Sequence, residues 1–340
     1  MPFEIQPNHK FAVIALDTRV ADGLQDVVEL GGGLRALTTA PVEVDQTWRE
    51  WLGSIEHDHY HDCSLYLLAS APSQNPGVLD HEHSALERQV FELMYALHLG
   101  GAARFGGGGG LILKGSRSGD HVEIRQHSRL PAHYSHERLA AVEINEAVLN
   151  AALPTAAALR TLYQQVPGPP LGTAAAGHAQ DHGRLRRGFN ALLQGLRGHY
   201  ANARLHQFVR AAEGVIHPPI AKSKATFVHR GGIITGRSAE VRDVLGAIYD
   251  LRSAEEHLNE WQAVVPGEPT ATLRSAQVEI LACEMYRRVL PDAGLRNEFA
   301  SDASTHAFWA QQDHVTAARW APPIEIREAP LLASGKLEEE

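Results

Sequence analysis

Through roughly the first 135 residues, short apolar runs alternate with turn residues, beginning at Phe11-Ala-Val-Ile-Ala-Leu16 and recurring at Ser64-Leu-Tyr-Leu-Leu-Ala-Ser70, a pattern that predicts β-strands. One helix is expected among them. Ser84 and Glu87 have capping-box spacing, and Leu86, Val90, Leu93 and Leu97 fall at i, i+4, i+7 and i+11 of one face before Gly100-Gly101 stops it. The runs Leu111 to Lys114 and His121 to Gln126 flank Gly119-Asp120 as the arms of a hairpin. Strands and a helix in this order predict an α+β domain over residues 1–165.

The period then changes. Leu139 to Gln164 is rich in alanine and leucine and reads as helix, and the following Pro167-Gly-Pro-Pro-Leu-Gly-Thr-Ala-Ala-Ala-Gly177 holds neither element, so residues 166–180 are expected to be a linker or loop. Leu205, Phe208, Val209, Ala212, Val215 and Ile216 form a stripe at helical period that Pro218-Pro219 ends. A further helix is expected from Ser238 through Val241, Leu245, Ile248 and Tyr249 towards Trp261. Another runs from Thr270 as N-cap to Leu290, with Pro291 as its stop. Residues 181–320 thus predict an antiparallel helical bundle, with 321–340 as a tail. No repeat recurs at a solenoid period.

Composition sharpens this picture. With 340 residues, 44% hydrophobic and 21% charged, the chain has enough apolar material for two folded domains and too much for a disordered one. Cys63 and Cys283 are too few and too far apart for a disulfide framework or a four-thiolate zinc site, which fits a reducing compartment. Met1 to Lys10 lacks the basic start and apolar core of a secretory signal, and no apolar run approaches the roughly 18 residues of a membrane span. The expectation is a cytoplasmic protein with no membrane partner.

The formal charge of −9 argues at first against a phosphate-bearing partner. Its distribution reverses that inference. Between Gly183 and Arg237 there are ten basic residues and one acid, Glu213, so this segment carries +9 and the remainder carries −18. Either the basic side chains share a face that attracts phosphate, or they pair with carboxylates of neighbouring helices.

Three motifs could carry chemistry. In Glu56-His-Asp-His-Tyr-His-Asp-Cys63, an extended backbone would align His57, His59, His61 and Cys63 on one face, where they could share a transition metal; a solvated turn is the plainer alternative. The glycines 106–110 precede Leu111-Ile-Leu-Lys114, a strand-like run, whereas a phosphate-cradling loop needs a helix there. Nucleophile-elbow and His-Glu-x-x-His templates are absent from the sequence. The third motif lies in Ile248-Tyr-Asp-Leu-Arg-Ser-Ala-Glu-Glu-His-Leu258. Arg252 and His257 are separated by about 140° round an ideal helix, so they can flank one groove. Such a pair could cut RNA without a metal, the imidazole moving protons while the guanidinium holds the phosphate. The plainer alternative is an ordinary i, i+4 ion pair between Arg252 and Glu256.

The arrangement Ile-Tyr-Asp-Leu-Arg-Ser-x-x-x-His, preceded by Arg204-Leu-His-Gln-Phe-Val-Arg-Ala-Ala-Glu-Gly214, resembles the HEPN superfamily, whose mark is an arginine followed four to six residues later by histidine. It looks most like the ApeA-type branch. Phe227-Val-His-Arg230, in an expected loop, is also similar to that branch, and the likeness covers roughly residues 180 to 295. For the part that follows the α+β N-terminal domain, the resemblance implies an all-α HEPN-like bundle that dimerises with two Arg-x4-His motifs facing each other. It implies a metal-independent endoribonuclease of a toxin or antiviral-defence system, with RNA as partner, no cofactor, and an antitoxin or other protein as a further partner. Carried over, Arg252 binds phosphate, His257 is the acid–base group, and Ser253 and Glu213 support them. Arg204, Arg210, Lys222, Lys224 and Arg230 would then hold RNA. Some members of the superfamily are non-catalytic dimerisation modules, which is the alternative implied. Two features depart from the branch: Leu258-Asn259 replaces a glycine after the histidine, and Glu255 and Glu256 put negative charge beside the motif.

Overall fold

The computed structural model describes residues 3–44, 46–100, 110–130, 142–163, 181–198, 200–219, 222–257 and 268–326. Two compact units result, and among the described residues the division falls between 161 and 162. The expected linker 166–180 and the glycines 106–109 lie outside the described residues.

The first unit is built on β1 (His9–Leu16), β2 (Val27–Gly31), β3 (Leu34–Leu37), β4 (Leu65–Pro72), β5 (Gly110–Ser118) and β6 (His121–Leu130). They form one antiparallel sheet in the order β2-β3-β4-β1-β5-β6. β1 is covered on both faces, which is why it reads as an unbroken apolar run instead of an alternating one. Its Ala12, Ile14 and Leu16 join a core with Leu86, Val90, Leu93 and Leu97 of α3 (His81–Leu99) and Leu149, Ala152 and Ala156 of α4 (Glu146–Tyr163). Phe11, Val13 and Ala15 face the opposite way, into a second core with Val42, Leu52 and Tyr60. The helices on that side are α1 (Gln46–Leu52) and α2 (Ser54–Asp62). The β5–β6 hairpin turns at Gly119, whose φ of 57° lies in the left-handed region that glycine enters without strain.

Two local expectations are corrected here. The cap of α3 is Asp80, not Ser84: its carboxylate accepts the Glu82 N–H at 3.0 Å, and His83 accepts the Asp80 N–H in return. Asp80 wins because the buried Lys10 ammonium also grips it at 2.6 Å, a contact between residues far apart in the chain. The 56–63 run is not extended. It forms α2 because its only large apolar residue, Tyr60, is fully buried from a helix, whereas a strand would have no alternating apolar face to bury.

The second unit is helical: α5 (Gly183–Arg197), α6 (Ala201–Ile216), α7 (Ser223–Thr235), α8 (Ala239–Glu256), α9 (Glu268–Val289) and three short helices, α10 (Ala293–Glu298), α11 (Asp302–Trp309) and α12 (Asp313–Arg319). The predicted stripe on α6 is its buried face. α5 and α6 meet at Gly188 and Gly214, where a Cβ at either position would lie 2.1 Å or 2.7 Å from the hydroxyl of Tyr286. That hydroxyl donates between the Leu185 and Ala211 carbonyls at 3.3 and 3.1 Å, pinning α9 against both helices. Ser238 caps α8 as expected, accepting the Val241 N–H. α8 ends at Glu256 with His257 as its C-cap, and residues 258–261 lie outside the described residues. Phe227 to Arg230 belong to α7, not to a loop, because Phe227 is wholly buried from that helix. α9 begins before Thr270, at Glu268. The start of the expected tail packs on the bundle: Ile324 and Ile326 are buried, and the Ile324 N–H donates to the Ile234 carbonyl.

Candidate functional site

Polar residues stack where α6 and α8 cross. On α6, Asn202, His206 and Glu213 are spaced by four and seven and share one face; on α8, Tyr249, Arg252 and Glu256 are spaced by three and four and do the same. The two rows meet antiparallel. Asn202 Nδ2 donates to Glu255 at 3.3 Å, His206 Nε2 lies 3.4 Å from Glu256 Oε1, and Glu213 Oε2 is 3.6 Å from an Arg252 guanidinium nitrogen. The other terminal nitrogen of Arg252 donates to Glu256 Oε2. Arg252 also lies over the Tyr249 ring, 5.4 Å from its centroid. Tyr249 in turn hydrogen-bonds Glu213 and Ser223.

Arg252 and Glu213 are 16% and 17% exposed, whereas Glu256, the last residue of α8, is 35% exposed. Burial pushes the Glu213 carboxyl above the ordinary glutamate range; Arg252 opposes that shift and Glu256 adds to it. The Tyr249 hydroxyl is raised by the same desolvation. The i, i+4 pair of Arg252 and Glu256 is therefore present, with Glu213 as a second carboxylate on the same guanidinium. His257 is the C-cap of α8; its N–H donates to the Ser253 carbonyl at 3.1 Å and its side chain is exposed.

The basic residues of the 183–237 segment have divergent fates. Arg204 is buried and donates to the wholly buried Glu279 at 2.6 Å. Arg230 donates to the Ile216 and His217 carbonyls, both at 2.7 Å, and lies over the Trp309 ring. These two hold the bundle together. Arg210 is exposed one turn beyond His206 on α6. Lys222 and Lys224 are exposed on either side of Ser223, with Lys224 paired to Asp250 at 2.6 Å. Arg184 and Arg237 pair with Asp302 and Asp313. Of the two alternatives the +9 count left open, pairing accounts for Arg184, Arg204, Lys224 and Arg237, whose acids on α8, α9, α11 and α12 lie outside the counted window.

Sequence reasoning singled out Arg252, Glu213 and Glu256 in this seam and missed His206, Asn202 and Tyr249 as its partners. Their helical spacing was the available signal. In the first unit, α2 separates the four proposed metal ligands. His57 and His61 donate from Nε2 to the Val44 carbonyl at 2.9 and 3.2 Å, while Cys63 donates its thiol to the His59 carbonyl at 3.2 Å. Burial pushes the Cys63 thiol up to about 12. Among the described residues no group of three or more His, Cys, Asp or Glu is arranged to hold a metal. A separate pocket of about 600 Å³ lies at the other end of α8, lined by Thr235, Ser238, Glu240, Gln277 and Ile324 among others. Among the described residues no helix is long and apolar enough to cross a membrane.

No protein-family model, curated protein or solved structure matches this chain, so the likeness to the HEPN superfamily rests on the residues themselves.

Proposed function

We propose that the second unit is a HEPN-like helical module that acts as a metal-independent endoribonuclease, with a second copy of the chain completing its site, in a toxin or antiviral-defence setting. The observation that carries this reading is the α6–α8 seam, in which a guanidinium, an imidazole and two carboxylates meet one residue before His257, whose side chain is exposed at the end of α8. Arg252 holds the non-bridging oxygens of the scissile phosphate. An imidazole takes the 2′-hydroxyl proton as O2′ attacks phosphorus; the O2′–P bond forms, the P–O5′ bond breaks, and O5′ leaves with a proton from a second acid. The products are a 2′,3′-cyclic phosphate and a 5′-hydroxyl. Two His257 residues from facing copies supply the base and the acid. Arg210, Lys222 and Lys224 guide the strand, and Ser253 and Glu213 support Arg252.

The test is incubation with single-stranded and structured RNA in EDTA. The wild-type chain is expected to cut, and Arg252→Ala and His257→Ala to cut at least ~100-fold more slowly. The reading fails if the wild type leaves RNA intact, or if both variants cut as fast as it does.

A second reading is favoured by one specific observation: two carboxylates already occupy Arg252. A non-catalytic HEPN-like dimerisation module, with the first unit engaging a protein or nucleotide, would keep that arginine paired. It is distinguished by a dimer in sedimentation that cuts no RNA.

A further inference from the structure

The carboxylate of Glu256 bridges two side chains, Arg252 and His206, of types that also bind other anions. One of its oxygens accepts from the Arg252 guanidinium, and the other lies 3.4 Å from His206 Nε2. Two oxygens on a tetrahedral phosphorus would make the same two contacts. Glu256 is also poorly placed as a permanent partner. As the final residue of α8 it puts negative charge at the negative end of the helix dipole, beside Glu255, and it faces Glu213 across the same guanidinium. It is the more exposed of the two carboxylates on Arg252, so it can swing into water while Glu213 cannot.

Resting on the ribonuclease reading above, we propose that Arg252 and His206 form the seat for one phosphodiester, and that Glu256 is its resident surrogate, displaced when RNA binds. His206 is then a phosphate-binding residue of the site, presented by α6, while Glu256 is a built-in competitor that sets the affinity. Glu213 remains against Arg252 on its buried side and holds the guanidinium in place through the exchange. This gives the paired state of Arg252 a purpose compatible with catalysis: the arginine is kept ordered and partly neutralised until a phosphate replaces one of its two carboxylates. It also explains why acidic residues border a site meant for RNA, because only one of them has to move.

The experiment follows the His206 imidazole by NMR, its signal assigned from His206→Gln, while the full chain is titrated with inorganic phosphate and, separately, with a 2′-deoxy hexanucleotide that cannot be cleaved. Glu256→Gln keeps the size of the side chain and removes the competing charge. It is expected to lower the half-saturating concentration of either probe by about tenfold and to lower KM for RNA by a similar factor. His206→Gln is expected to weaken binding about tenfold and to raise KM with a smaller effect on kcat. Thermal melting of both variants establishes that they are folded. If RNA is cut but the His206 signal does not respond and Glu256→Gln binds no better than wild type, the phosphate seat is wrong and the nuclease reading survives. If the His206 signal responds as described but no chain cuts RNA, the nuclease reading fails and the seat stands.

Discussion

Helix α6 makes two charged contacts of similar composition and opposite character. Against α9, Arg204 meets Glu279 in a contact shut off from solvent, with side chains 9% and 0% exposed. Against α8, Glu213 and Glu256 share Arg252, His206 shares Glu256, and the outermost carboxylate reaches solvent. The first contact is closed: a phosphate could not reach it, and neither partner has anywhere to go. The second has more acid than its arginine needs and one acid free to leave. Charge pairing alone thus distinguishes nothing; what separates a strut from a site is whether a partner can be exchanged.

The largest expected effect breaks the closed contact. Glu279→Ala leaves the Arg204 guanidinium buried without its counter-ion and is expected to cost about 3–5 kcal/mol of stability, read from urea unfolding. Arg252→Ala is expected to cost less, about 1–2 kcal/mol, because both carboxylates it leaves behind keep some contact with solvent, Glu256 most of all. Equal losses in the two variants would erase the distinction between strut and site. A large loss of RNA cleavage without a loss of stability in Arg252→Ala would sharpen it.

The C-terminal end of α6 offers an intermediate case. His217 is buried, and its Nε2 lies 3.1 Å from His306 Nε2 on α11. It faces Arg184 of α5, Arg230 of α7, and His306 and Asp302 of α11. Burial first, and then Arg184, His306 and Arg230, lower its pKa from 6.5 to about 4, against the opposing pull of Asp302. The unfolded chain protonates this histidine below pH 6.5 and the folded one does not until about pH 4, so stability is complete above 6.5 and is lost as the pH falls between those values. The loss amounts to no more than roughly 3 kcal/mol. His217→Asn, a residue that tolerates the positive φ of 51° at this position, is expected to flatten the unfolding midpoint across that window. An unchanged slope in the variant would remove His217 as its source.

The bundle and the seam were legible to different depths. The α6 stripe from Leu205 to Ile216 could be read because six apolar residues at helical period have only one way to be buried together. Arg252 and Glu213 could be named from their resemblance to a motif, and His206 from its spacing of seven to Glu213, although imidazoles at a helix surface are common enough to pass unnoticed. The fate of Arg204 was not legible, since Glu279 lies 75 residues away. Nor was the neutralisation of the basic segment, which depends on Asp250, Asp302 and Asp313 arriving from other helices. Local counting found the charge, and only the fold showed which of it was already spent. The Asp80 cap was missed for the same reason, because Lys10 reaches it across the first unit.

The smallest expected effect concerns a polar run whose composition promised more than its geometry allows. Residues two apart align on a strand but point about 200° apart on a helix, so α2 sends His57 and His61 to one side and His59 and Cys63 to the other. The first pair is already hydrogen-bonded to Val44. The second is joined through a thiol that remains protonated near neutral pH and is therefore a poor ligand. One equivalent of Zn²⁺ at ten micromolar chain is accordingly expected to move the melting temperature by less than about 1 °C, and His59→Ala to leave even that unchanged. A shift of several degrees that vanished in His59→Ala would mean that α2 unwinds to gather its ligands. The α6–α8 seam would then have to be judged by the same standard, as a set of residues whose resting contacts differ from those it makes with its ligand.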